Sequence, residues 1–419
     1  RRSRPGNHAS RHRLTAGRTR VAASDKTSSR RNQTALLPAL HGYIEGYYGR
    51  LLDWDDRARL LHRLSSLGLN AYLYAPKEDE CHRFEWRRPW DKDWLASFSR
   101  FCKEARRHDV CVLGGIAPGL DYDAYDDAAE FGRLLAKAQQ LQDSGARAVV
   151  LMFDDIDEPP AGGYGPDGLP DHALHADIAA RLAARLDAAV LITPRVYADE
   201  MSDDPVSHYR NLSAALPNEM PLFHCGSHIV ADVDPLTAGN SLARQHISQR
   251  LILWDNIYCN DYCPRRLFVG RHAGRDGIAE LMLNGTGMIE TDLLLLSVMQ
   301  AGDDDAAWRA ALAEAGVPDA FFLLAPWFDL GVANDRAPLP PAAPEQAHFD
   351  AIETLLWKWK GPLAREWYPF LFGLKHDLLI ETGQLPDLRV AKTQTPALAR
   401  HLLQTGKGEI RERTDNDET

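Results

Sequence analysis

The chain has 419 residues, 45% hydrophobic and 26% charged, which excludes a fully disordered polymer and leaves room for one large barrel or two to three ordinary domains. The net charge of −11 is unevenly spread: residues 1–31 hold ten basic side chains against Asp25, so the remainder carries about −20. A body this acidic argues against a groove that tracks nucleic-acid phosphates, and no apolar run reaches the ~18 residues of a membrane span.

The basic head, residues 1–38, has no Phe, Tyr or Trp and reads as a disordered extension. It lacks the apolar core of a secretory signal, and the expected compartment is cytoplasmic. The six cysteines form no CxxC pair, so free thiols in a reducing compartment are expected.

From residue 39 a short apolar run alternates with a longer amphipathic one. The strand candidates are His41–Tyr48, Asn70–Ala75, Val110–Ile116, Ala146–Phe153, Ala189–Thr193, Met220–His224, Leu251–Trp254 and Leu281–Asn284. Runs such as Ala148–Phe153 are apolar on both faces, as buried parallel strands are. The first intervening helix shows its own punctuation: Asp53 as N-cap, a stripe of Leu60, Leu61, Leu64 and Leu67, and Gly68 at C′. Eight such units in about 260 residues predict a (β/α)8 barrel over 39–302. No GxGxxG follows the first strand, so a dinucleotide-binding sheet loses support.

Past 302 the pattern turns helical, with Ala306–Gly316, Pro344–Lys360 and Pro362–Thr382 as candidates. This predicts a small α-helical C-terminal module over 303–403, whose aromatics Trp327, Phe328, Trp357, Trp359, Trp367 and Tyr368 pack it onto the barrel, with ligand binding as the alternative. The segment 404–419 reads as a charged, frayed tail.

A barrel enzyme does its chemistry at the C-terminal ends of its strands. Here those ends carry Glu45–Arg50, Tyr74–Asp79, Ala117–Asp121, Phe153–Glu158, Tyr197, Trp254–Asn256 with Asn260–Tyr262, and Asn284. Carboxylates, amides, one lysine and many aromatics suit a sugar: polar groups meet hydroxyls and aromatics meet ring faces. The adjacent acids Asp154 and Asp155 are the sharpest feature. Two carboxyls at one small site do not ionise equally, which separates an acid from an anion. Solvated strand-end acids are the plain alternative. Lys77 reads as a site residue or as the ion-pair partner of Glu78 or Asp79. Asn256, Asp261 and Asn284 read as ligand contacts or helix caps, Tyr197 as a contact or packing. His41, His82, Cys225 and Cys259 read as structural.

Several stretches together resemble the O-GlcNAcase group of β-N-acetylglucosaminidases, glycoside hydrolase family 84. They are Gly42–Arg50, Leu69–Lys77 with His82-Arg83 and Trp86-Arg87, Ile116–Asp121, Phe153–Asp157, Trp254–Ile257 with Asn260–Tyr262, and Arg266–Gly270. The resemblance implies a retaining exo-β-N-acetylglucosaminidase in which the sugar's own acetamido oxygen attacks the anomeric carbon to form an oxazoline. It implies Asp154 as the group that orients the acetamido N–H, and Asp155 as acid, then base. It implies Tyr197 on the acetamido oxygen, Gly46 and Lys77 on sugar hydroxyls, and Asp261 and Asn284 on the remote hydroxyls. Asn256 and Trp254 would support and wall the acetamido pocket. No metal and no cofactor is implied, and the partner is an N-acetylglucosamine-containing glycan or glycoprotein. The chain departs from the family at Leu51-Leu52 before Trp54, and at Phe223-His224-Cys225-Gly226, where eukaryotic members carry Trp-Thr-Gly. Two other readings remain at this level: a metal-dependent hydrolase using Asp154, Asp155, Asp157 and Glu158, and a silent sugar-binding barrel.

Overall fold

The computed structural model describes residues 37–231, 240–329 and 343–384. Nearly all of the basic head and the whole charged tail therefore lie outside the described residues. Eight parallel strands close into a barrel in chain order: β1 His41–Glu45, β2 Ala71–Tyr74, β3 Cys111–Ile116, β4 Ala148–Met152, β5 Ala189–Thr193, β6 Leu222–His224, β7 Leu251–Asp255 and β8 Leu281–Asn284. β8 pairs back onto β1, with Gly42 opposite Met282. The expected (β/α)8 barrel is the fold observed.

Around it run α1 Trp54–Ser66, α2 Lys92–Arg107, α3 Asp127–Ser144, α4 Asp171–Ala183, α5 Pro205–Ala215, α6 Leu242–His246 and α7 Ile289–Ala301. α1 forms as its punctuation requires. Asp53 accepts from the amide of Asp56 at 2.8 Å, and Gly68 takes the left-handed φ of +70° after the last turn. α7 is followed by α8 Asp305–Glu314, α9 Gln346–Trp357 and α10 Pro362–Glu381. The N-cap of α7, Met288, makes no side-chain cap bond. Glu366 of α10 supplies one, accepting from the amides of Glu290 and Thr291 at 2.9 and 2.8 Å. Trp367 is buried beside it, its indole N–H on the hydroxyl of Thr291, whereas Trp357 and Tyr368 stay exposed. The C-terminal helices share one continuous apolar core with the barrel's helices, in which Trp308, Phe321, Phe328 and Trp367 are buried.

Two apolar layers follow from the pleat. Ile44, Leu73, Leu113, Val150, Leu191, Phe223, Ile252 and Met282 fill the barrel interior. Tyr43, Tyr72, Val112, Val149, Val190, Leu222 and Leu283 face the helices. Side chains alternate along each strand, so the interior rows, continued past the strand ends, reach Gly46, Lys77, Ala117, Asp154, Tyr197, Cys225, Trp254, Asn256 and Asn284. β1 stops at Glu45, three residues short of the expectation. The amide of Gly46 leaves the ladder and donates to the side chain of Asn284 at 3.1 Å.

Candidate active site

A cavity of about 630 Å³ is lined from the strand ends. All nine residues singled out from the sequence line it: Gly46, Lys77, Asp154, Asp155, Tyr197, Trp254, Asn256, Asp261 and Asn284. Seven of them lie on the interior rows. Gly46 has no room for a side chain, because a Cβ there would meet the Trp254 ring at 2.4 Å. That close approach lets the indole form a wall.

Asp154 is buried. Its Oδ2 is ion-paired with the buried ammonium of Lys77, while its Oδ1 is buried with no hydrogen-bond partner. An unmatched buried carboxylate oxygen is costly, so the site favours a ligand that brings an N–H or O–H. Lys77 also lies 4.0 Å from Asp155. It pairs with the dyad, not with Glu78, which instead accepts from the amide of Gly49 at 2.7 Å.

Asp155 stands out of the row. The residue after Asp154 on a regular strand would point toward the helices. Here the chain turns: Asp155 takes φ +53°, a left-handed conformation that only Asp109 shares among the described non-glycine residues. The turn brings its carboxylate into the same cavity. The hydroxyl of Tyr197 donates to Oδ1 at 2.6 Å and that of Tyr48 to Oδ2 at 2.8 Å. Burial, then the neighbouring Asp155 charge, raises both tyrosine pKa values, so both phenols stay protonated as donors. Arg83 holds the turn from behind, bonding the carbonyls of Asp154 and Asp155 at 3.2 and 2.7 Å.

The far wall is an amide chain. Trp254 Nε1 and Asn284 Nδ2 both donate to Asn256 Oδ1 at 2.9 Å, and Asn256 Nδ2 donates to the carbonyl of Ile229 at 2.8 Å. Asn256 is therefore committed to the scaffold. Asp261 accepts from the amide of Tyr48 at 3.0 Å, which joins the loops after β1 and β7. Below, Asp255 is locked by Arg275 at 2.7 Å and His272 at 2.8 Å; Arg275 holds its carboxyl well below the usual range despite burial.

Some lining residues were not singled out from the sequence. Tyr48 sits in a quoted stretch without a role. Thr193 and His224 are buried and line the cavity, and the Thr193 hydroxyl and both ring nitrogens of His224 have no hydrogen-bond partner. Burial pushes His224 down to about 3, so its ring is neutral. Thr193 continues the interior row of β5, and that parity was a usable signal. Cys225 and Cys259 also line the cavity, each taking a weak amide contact on sulfur, from Asn256 at 3.5 Å and Asn284 at 3.6 Å. All six cysteines are free. Among the described residues, Asp154, Asp155, Asp157 and Glu158 do not converge as a set of metal ligands, and no helix is long and apolar enough to cross a membrane.

A family model described as beta-N-acetylglucosaminidase matches residues 41–289, a span that holds all eight strands of the barrel. Two curated relatives, the Protein O-GlcNAcase of Rattus norvegicus and that of Mus musculus, are each 29% identical over 257 residues, 56% of this chain and 26% of the relative. The match thus spans about a quarter of those relatives' length. A mutant of the Thermobaculum terrenum O-GlcNAc hydrolase superposes with a TM-score of 0.63 at 19% identity, covering 87% of this chain and 81% of that one, a likeness of fold. With more than half of its length matched by the family model, the chain belongs to the β-N-acetylglucosaminidase family, a family of glycoside hydrolases.

Proposed function

We propose that this chain hydrolyses terminal β-linked N-acetylglucosamine from a protein or oligosaccharide, with retention, through an oxazoline. One observation carries the reading: Asp154 presents a buried, unpartnered Oδ1 while Lys77 holds its other oxygen. That arrangement suits an acetamido N–H, whose bond to Asp154 turns the acetamide oxygen toward the anomeric carbon. As the C–O bond to the leaving group breaks, Asp155 gives that oxygen a proton. Asp155 then takes a proton from the water that opens the oxazoline. Tyr197 is the donor that changes partner, bonded to Asp155 here and turning to the acetamido oxygen in the substrate complex. Gly46, Lys77, Asp261 and Asn284 meet the sugar hydroxyls, and Trp254 walls the acetamide. The barrel carries this chemistry, and the C-terminal helices form a separate supporting module.

Hydrolysis of aryl β-N-acetylglucosaminides tests the proposal. Asp155→Asn should slow substrates with poor leaving groups by about 100-fold or more, and activated aryl glycosides much less. Asp154→Asn should slow both alike. Equal loss on all substrates in Asp155→Asn removes its role as acid, and near-normal rates in Asp154→Asn remove the oriented acetamide. No hydrolysis by the unaltered chain, with retained sugar binding, would favour the silent barrel.

A further inference from the structure

A second cluster lies outside the cavity, between α4 and α5. Asp171 opens α4, His172 follows it, and His208 projects from α5. The Nδ1 atoms of His172 and His208 lie 3.7 and 3.9 Å from the same atom, Oδ1 of Asp171. Both separations are too long for hydrogen bonds. They are close to the spacing of ligands around one ion, since arms of ~2.1 Å at a tetrahedral angle put ligand atoms ~3.4 Å apart. All three ligand atoms lie within 4.8 Å of one another.

The surroundings support the same use. Arg195 Nε donates to Asp171 Oδ2 at 2.7 Å, which fixes the carboxyl with Oδ1 toward the two rings. The amide of His172 donates to that Oδ1 at 2.7 Å, leaving a further lone pair. Outer contacts of this kind are what metal-bound carboxylates receive. The side chain of His208 is 9% exposed, so its ring is held beside Asp171 away from bulk solvent, with Nδ1 on the side of Oδ1. A comparable trio, His62, Glu104 and His108, sits nearer solvent, and there Glu104 already bonds His108 at 3.2 Å and Arg107 at 2.7 Å. In that trio two of the ligand groups are already bonded to each other, whereas in the Asp171 trio neither Nδ1 is within hydrogen-bond distance of Oδ1.

We propose that Asp171, His172 and His208 bind a divalent cation of the zinc class, with water completing the coordination. The ion ties α4 to α5. Through Arg195, two residues from Tyr197, it stiffens the segment that presents Tyr197 to the cavity.

The test uses the full chain, stripped with a chelator and exchanged into clean buffer. Zn²⁺ is titrated by calorimetry, and Co²⁺ by visible absorption. Zn²⁺ should bind at one equivalent, and Co²⁺ should give the intense bands of a four-coordinate nitrogen and oxygen site. His208→Gln should weaken Zn²⁺ by about tenfold or more and remove those bands, with Glu104→Gln binding as the unaltered chain does. Circular dichroism of the stripped variants checks that they fold. If His208→Gln does not fold, His172→Gln, at the more exposed ligand, takes its place. Absence of Zn²⁺ uptake by the unaltered chain overturns the proposal. So does undiminished binding in the folded His208→Gln or His172→Gln variant.

Discussion

The left-handed turn at Asp155 makes a prediction in which stability and catalysis separate. The left-handed region costs an ordinary L residue ~1–2 kcal/mol, less for Asp or Asn, and nothing for Gly. Asp155 sits at φ +53°. Asp155→Ala and Asp155→Gly both delete the carboxylate and both tyrosine bonds, so those losses cancel when the two variants are compared. What remains is the backbone. Ala in this conformation carries the full penalty; Gly carries none but frees the unfolded chain by ~0.5–1 kcal/mol. The difference should leave Asp155→Gly more stable than Asp155→Ala by about 0.5–1 kcal/mol, a Tm gap of only about 0.5–1 °C for a chain this long. Urea denaturation of the two variants side by side measures it, with turnover of a poor-leaving-group glycoside equally low in both. An Asp155→Ala variant as stable as Asp155→Gly, or more so, would refute the claim that the turn is imposed against local preference.

Lys77→Met should lower stability by about 3 kcal/mol, because it strands the buried Asp154 carboxylate, and adding Asp154→Asn should recover most of that; a loss below ~1 kcal/mol in the single variant counts against a tightly coupled pair. Gly46→Ala should cut kcat/KM by about tenfold or more by driving Trp254 off its wall position, since the new Cβ would stand 2.4 Å from the indole; unchanged kinetics would mean the wall is compliant. Acid should destabilise the fold between pH 6.5 and 4. Burial pushes His82, His175 and His224 down to about 3, so in this window the unfolded chain binds protons that the folded chain refuses. At pH 5.5 each contributes about 1.4 kcal/mol of loss, roughly 4 kcal/mol together. Asp292 opposes this: burial raises it to about 6, so the folded form gains a proton first and returns about 0.8 kcal/mol. Urea midpoints at pH 7 and 5.5 measure the balance, and a flat profile contradicts it.

The barrel was legible because buried parallel strands are apolar on both faces and helices punctuate themselves, as at Asp53 and Gly68. Residues on the interior rows were legible for the same reason, since the pleat carries a strand's register into the loop beyond it. Asp155 shows the limit. Proximity in sequence says that it can reach the site, but on a strand Asp155 points away from Asp154. The turn that redirects it is held by Arg83, 72 positions away, and no local pattern announces that contact. Tyr48 escaped for a similar reason. Its hydroxyl finds Asp155 across 107 positions, on a stretch that sequence alone extends as strand. Asn256 read from the sequence as a ligand contact or a helix cap; it lines the cavity while its amide bonds Trp254, Asn284 and Ile229. An amide's partners are a tertiary fact.

The charge of the cavity bears on what it can stabilise. Among the described residues lining it, Lys77 is the only cation, against Asp154, Asp155, Glu200 and Asp261, and His224 is neutral. Lys77 is moreover spent on Asp154. A lining with that excess of negative charge binds a phosphate poorly and gives no help to an oxyanion. It does favour positive charge appearing on a bound molecule, and glycoside cleavage develops such charge at the anomeric carbon and ring oxygen. On the proposed mechanism Glu200 and Asp261, which take no part in proton transfer, would act through their field. Neutralising Asp261 as Asn should lower kcat more than it raises KM, because the field matters most once the bond has begun to break. An effect confined to KM would instead make Asp261 a hydroxyl contact alone.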